Sequence, residues 1–131
     1  MPSTLKIGST FRFWDRPNDR HLYVISSDLS APEVVIFNVK TLHEGDLRVD
    51  RSCVLNHGDH PFLMHESYVA NRYAELIATN KLEQKIADGT LVLHEQCSNE
   101  TLKRIWDGAE TTRHLHGWIR EVLISQSIIA G

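Results

Sequence analysis

The densest run of chemistry-bearing residues is Asn56-His57-Gly58-Asp59-His60-Pro61-Phe62-Leu63-Met64-His65-Glu66-Ser67-Tyr68. It gathers three of the chain's eight histidines beside two carboxylates. A histidine with an ordinary pKa takes or gives a proton near neutral pH, which makes His57 and His60 candidates for acid–base work. His65 and Ser67, further along the run, are candidate substrate contacts. The histidines with Asp59 or Glu66 as an oxygen ligand would also suit zinc, but their spacing matches no zinc signature. The expectation is therefore a site without metal or cofactor. Gly58, Asp59 and Pro61 equally describe a tight turn, since Gly permits one, Asp accepts backbone hydrogen bonds and Pro starts an extended segment.

A second constellation lies at the strand ends. Arg16, Arg20 and His21 precede a strand, and Lys40 and Thr41 end another. Alternate loops of an antiparallel sheet share an end, so these residues are expected at one rim with the His60 turn. Arg20 would hold a phosphate, Thr41 would position it, and Arg16, His21 and Lys40 would contact the rest of the substrate. Arginine and histidine together suit ribonucleolytic transesterification.

The elements that must position these groups alternate early and turn helical late. Thr10 to Trp14 alternates, with Phe11 and Phe13 on one face. His21 to Ser26 and Glu33 to Val39 read as further strands, the last too continuously apolar for anything but the sheet centre. Leu47 to Leu55 is a weaker fourth strand. Beyond the histidine run, Val69, Tyr73, Leu76 and Ile77 have helical spacing. A second helix follows Asn80 and ends at Gly89, and Leu91 to Leu93 returns as a strand. Ser98 caps a helix expected to stop at Gly108, and a last helix carries the stripe Leu115, Trp118, Ile119, Val122, Leu123. The reading is one α+β domain, 1–131: a small antiparallel β-barrel over 1–69 and a mainly helical extension over 70–131.

Composition sets the limits. Hydrophobic residues make up 41% and charged residues 24% of the 131 positions, ordinary values for a globular chain. A net charge of -3 disfavours whole-surface binding of nucleic acid and leaves room for a local basic groove. Cys53 and Cys97 form no motif and are expected to be reduced and buried. No apolar run reaches the roughly 20 residues of a membrane span, and no leader pattern opens the chain. A cytoplasmic protein without membrane contact is the expectation.

The segments Gly8-Ser9-Thr10-Phe11-Arg12-Phe13, Arg20-His21-Leu22-Tyr23-Val24-Ile25-Ser26 and Val34-Val35-Ile36-Phe37-Asn38-Val39-Lys40-Thr41 resemble the strand order of the MazF/PemK-like growth-inhibitor toxins. Gly8, Arg20 and Thr41 stand where that family has its recurrent Gly, Arg and Thr or Ser. His21 replaces the usual Pro. The resemblance implies an SH3-like barrel, a homodimer, metal-independent cleavage of single-stranded RNA and an antitoxin protein partner. The alternative is a non-catalytic protein-interaction module, with Ile128 and Ile129 adding a dimer contact.

Overall fold

The computed structural model describes residues 5–16, 21–43, 45 and 49–131. The strands are β1 (Thr10–Phe13), β2 (Leu22–Ile25), β3 (Glu33–Thr41), β4 (Val54–Leu55), β5 (Ser67–Val69), β6 (Glu75–Ala78) and β7 (Leu91–Leu93). The helices are α1 (Thr79–Asp88), α2 (Asn99–Thr111) and α3 (Gly117–Ser125). The architecture is α+β, as expected. All seven strands join one antiparallel sheet in the order β4-β5-β3-β2-β1-β7, with β6 also on β3. The sheet is not closed into the expected barrel, because β4 and β7 end it without pairing to each other.

β3 is the axis. Its one edge pairs with β2 from Ile36 to Val39, and its other edge takes β6 over Glu33 to Ile36 and β5 over Val39 to Thr41. Alternate residues feed two cores. Val35, Phe37 and Val39 pack with Leu22, Val24 and the helical residues Leu102, Ile105, Ile119 and Leu123. Val34 and Ile36 pack with Phe11, Phe13, Tyr23, Ile25 and Leu82 of α1. Both faces are thus covered, which is why the run is apolar at nearly every position.

Between β5 and β6 the chain does not form the helix that Val69, Tyr73, Leu76 and Ile77 suggest. It runs strand, 3-10 turn at Asn71–Tyr73, strand. The free edge of β3 offers backbone hydrogen bonds that outcompete a local helix, and helical spacing of a few apolar residues does not distinguish the two. Strands therefore continue past residue 69, so the helical half is interleaved with the sheet. Of the expected fourth strand only Val54–Leu55 forms among the described residues; Leu47 and Arg48 lie outside them.

Of the expected helix caps Gly89 and Ser98 hold, whereas α1 already starts at Thr79, ahead of Asn80, without a side-chain cap bond. Gly89 ends α1 in the left-handed region at φ 82°. Ser98 Oγ accepts the Thr101 amide at 3.1 Å and starts α2. The helix then passes through Gly108, because the lack of a side chain lets it press onto the β4 approach: a Cβ there would lie 2.9 Å from Ser52 O and 3.0 Å from Cys53 Cβ. In α3, Ile119 and Leu123 are buried while Trp118 is 59% exposed, so Trp118 is not part of the packing stripe. Ile129 is buried in the core and Ile128 is partly buried against it, so the chain's own fold uses at least one of the two residues expected at a dimer contact.

Asp50 stitches three segments together. Its carboxylate accepts from the Ser52 amide and hydroxyl, from Asn71 Nδ2 at 2.9 Å and from Thr112 Oγ1 at 2.7 Å. Burial works to raise its pKa, but these donors prevail and hold it below the usual carboxylate value. A carboxyl with a depressed folded pKa adds stability above its unfolded value and loses it as pH falls through the folded one. Asp50→Asn should therefore lower stability at pH 7 by roughly 1–3 kcal/mol and flatten the decline below about pH 4 in urea titrations. Gly108→Ala should cost roughly 1–3 kcal/mol in the same assay, overpacking outweighing the better helix propensity of Ala.

Candidate functional site

The histidine-rich run folds back as a pinned turn. Asp59 Oδ2 accepts the Asn56 amide at 2.7 Å, and Asp59 Oδ1 takes Arg104 Nη1 of α2 at 2.6 Å. The Arg104 Nη2 donates to Val54 O. His57 Nδ1–H donates to Leu63 O at 2.8 Å, which leaves Nε2 of this exposed residue toward solvent. Gly58, Asp59 and Pro61 behave as the turn residues their types imply.

His60 points inward and is 4% exposed. Its Nδ1 accepts the Phe62 amide at 3.0 Å, and its Nε2 lies 2.7 Å from Glu95 O and 3.0 Å from Thr10 Oγ1. A backbone N–H on Nδ1 leaves the ring proton on Nε2, where the Glu95 carbonyl receives it. Both nitrogens are thereby engaged, and the ring ties the turn to β1 and to the segment after β7. Among the described residues no cluster of His, Cys, Asp and Glu is arranged to hold a metal ion, so His57, His60 and His65 do not converge on one.

The turn forms one wall of a cleft of about 460 Å³. Its apolar lining is Leu22, Val39, Leu63, Phe62 and Met64, and its polar lining is His21, Thr41, His65 and Ser67. Register explains the gathering. Leu22 pairs with Val39, which sets His21 at the end of β3, and Thr41 pairs with Ser67, which sets the two hydroxyl residues opposite one another. Ser67 Oγ donates to His65 O at 2.9 Å and shapes the entry to β5.

Other expected contacts lie elsewhere. Lys40 alternates to the opposite side of β3 from Thr41 and places Nζ 3.8 Å over the Tyr73 ring. There it lines a second depression of about 330 Å³ with Asp50, Tyr68, Asn71, Arg72 and His114. Arg16 forms a two-pronged pair with Glu75 at 2.8 and 3.1 Å and covers the Phe13 ring at 3.9 Å. It belongs with the second core, across the sheet from the cleft. Arg20 lies outside the described residues.

The sequence reading missed Phe62 and Met64 as cleft walls, and Met64 is 73% exposed. It also missed a stacked surface beside the cleft, where the Arg12 guanidinium sits 5.4 Å from the Trp14 ring and 5.5 Å from the Phe62 ring. His94 packs behind Phe62 with ring centroids 4.8 Å apart and the planes tilted by 49°. Burial lowers the His94 pKa, with the Arg12 and His60 charges adding to the effect. The alternation of Arg12 and Trp14 opposite Phe11 and Phe13 was the available signal.

No protein-family model matches the chain, and no curated protein matches it.

His60→Phe keeps a ring in the pocket but deletes its hydrogen bonds. It should lower stability by roughly 1–3 kcal/mol in equilibrium unfolding, and wild-type fluorescence should persist in the folded variant.

Proposed function

We propose that this chain is a toxin-like protein that binds single-stranded RNA in the cleft of His21, Thr41, His65 and Ser67 and cleaves it without a metal. The observation that carries the reading is the gathering of these four residues, each selected from sequence for such a role, around one cleft. Two imidazoles on one cleft supply what transesterification needs: one takes the proton of the 2'-hydroxyl as its oxygen attacks the adjacent phosphorus, and the other protonates the departing 5'-oxygen. The P–O5' bond breaks, a 2',3'-cyclic phosphate forms, and no co-reactant is required.

His21 and His65 take the proton-transfer roles in this proposal. His60, expected from sequence to share them, positions the turn, and His57 remains near the entrance. Thr41 donates its hydroxyl to phosphate or ribose, while the buried Ser67, whose hydroxyl is given to His65 O, holds the His65 backbone at the cleft wall. Arg20, adjacent to His21 in sequence, would add the phosphate-binding charge that the resemblance implies. An antitoxin would act by covering the same cleft, and the exposed Trp118, stacked on His116 at 4.4 Å, is a place where a non-catalytic interaction module or a second copy would make contact.

The test is cleavage of a single-stranded RNA by purified protein in chelator, beside growth and RNA integrity during induced expression. Wild type should cut and arrest growth, and His21→Ala or His65→Ala should slow cutting by about 10²-fold or more while leaving the fold intact. Intact RNA with folded wild type, and no growth arrest, would overturn the cleavage reading. If RNA is ignored while Trp118→Ala abolishes self-association or partner capture, the interaction-module reading replaces it.

A further inference from the structure

Four described arginines are partly buried, and three of them spend their guanidinium inside the fold. Arg16 pairs with Glu75, Arg104 with Asp59 and Val54 O, and Arg120 donates to Glu110 O and Thr112 O. Arg12 makes no such bond among the described residues. Its charge lies between the Trp14 and Phe62 rings, its Nε is buried without a hydrogen-bond partner, and the neighbouring His94 Nε2 is buried without one as well.

A cation left unneutralised between two aromatic rings, in a chain of net charge -3, is costly unless an anion meets it. The outermost ring of the stack, Trp14, is 65% exposed, although an indole of that size gains most by being covered. A planar aromatic face next to an unpaired guanidinium fits one chemistry well: an unpaired nucleobase with its own phosphate. Phe62 belongs both to this stack and to the cleft wall, so a strand seated in the cleft passes directly onto it.

We infer that Arg12 and Trp14, backed by Phe62 and His94, form a nucleotide subsite that stacks one unpaired base on Trp14 and holds the neighbouring phosphate on Arg12, extending the RNA-binding cleft. This inference rests on the RNA reading of that cleft. The subsite carries no specific base-edge recognition of its own, since stacking on a ring tolerates any base. It favours single strands over duplex, whose bases are already stacked.

The experiment uses a fluorescein-labelled single strand of about eight nucleotides, 2'-O-methylated so that it cannot be cut, and a matching strand with abasic positions. Anisotropy titrations compare wild type, Trp14→Ala, Trp14→Phe, Arg12→Ala and the control Trp118→Ala, with circular dichroism confirming that each is folded. Trp14→Ala should weaken binding of the full strand by about tenfold or more, Trp14→Phe should restore most of it, and both should bind the abasic strand like wild type. Arg12→Ala should weaken both strands and reduce the salt dependence. Wild type binding RNA with Trp14→Ala and Arg12→Ala binding equally well would overturn the subsite and leave the cleft reading standing. Wild type binding neither strand would overturn both together, and equal losses in Trp14→Ala and Trp118→Ala would overturn the stacking assignment.

Discussion

The two-edged pairing of β3 is the constraint on which the rest of the molecule depends. Between the pairs Ile36 with Glu75 and Val39 with Val69, three steps along β3 are matched by six along its partner, so the partner strand must expel residues from the ladder. The expelled residues form the 3-10 turn at Asn71–Tyr73. That turn is then held by the Asn71 side chain on Asp50, another of whose donors, Thr112, comes from the end of α2. A register mismatch is thereby converted into a joint between the sheet and the helical layer. Just before it in the chain, Ser67 and Tyr68 fall opposite Thr41 and Lys40, and the strict alternation of a strand sends the first pair to one depression and the second to another.

The histidine-rich turn is the second organising device. A short segment with few apolar residues has little burial to hold it, and polar bonds supply the hold instead. His60 to Glu95 and Thr10 and Asp59 to Arg104 fix it from outside, and His57 to Leu63 closes it from within. The consequence is a division of labour among residues of the same type. His60, whose two nitrogens face internal partners, orients backbone, while His21 and His65 line the cleft wall. Chemical type alone identifies the set. Only the direction of each ring separates the members.

That separation marks the limit of what could be read from sequence. β1, β2, β3 and β7 were legible because alternation or a continuous apolar run states the burial of each face, and α1 and α2 because Gly89 and Ser98 mark their ends through backbone geometry. That His21 and Thr41 share a cleft follows from strand ends converging at a rim, and His65 and Ser67 join them from the histidine-rich run. The strand at Glu75–Ala78 was not, since its reason for being extended is the vacant edge of β3, a long-range fact. Gly108 read as a stop because nothing local reveals that Ser52 and Cys53 press on the helix there. Closure into a barrel failed for a similar reason: short strands and turns permit it, but β1 is taken on its outer edge by β7, which arrives from the far side of α1.

Electrostatics shows why a mildly acidic chain remains compatible with a polyanion. Binding depends on the potential where the ligand sits rather than on the sum over the molecule. Arg16 and Arg104 are cancelled by carboxylates, and Lys85 and Lys103 by Asp15 and Asp107, so the cations that shape the fold contribute little field outside it. Arg12 is not cancelled, and the rings on either side of it exclude water that would otherwise screen it. A cation set between low-dielectric rings raises the local potential more than the same charge on an open surface, because such walls focus the field.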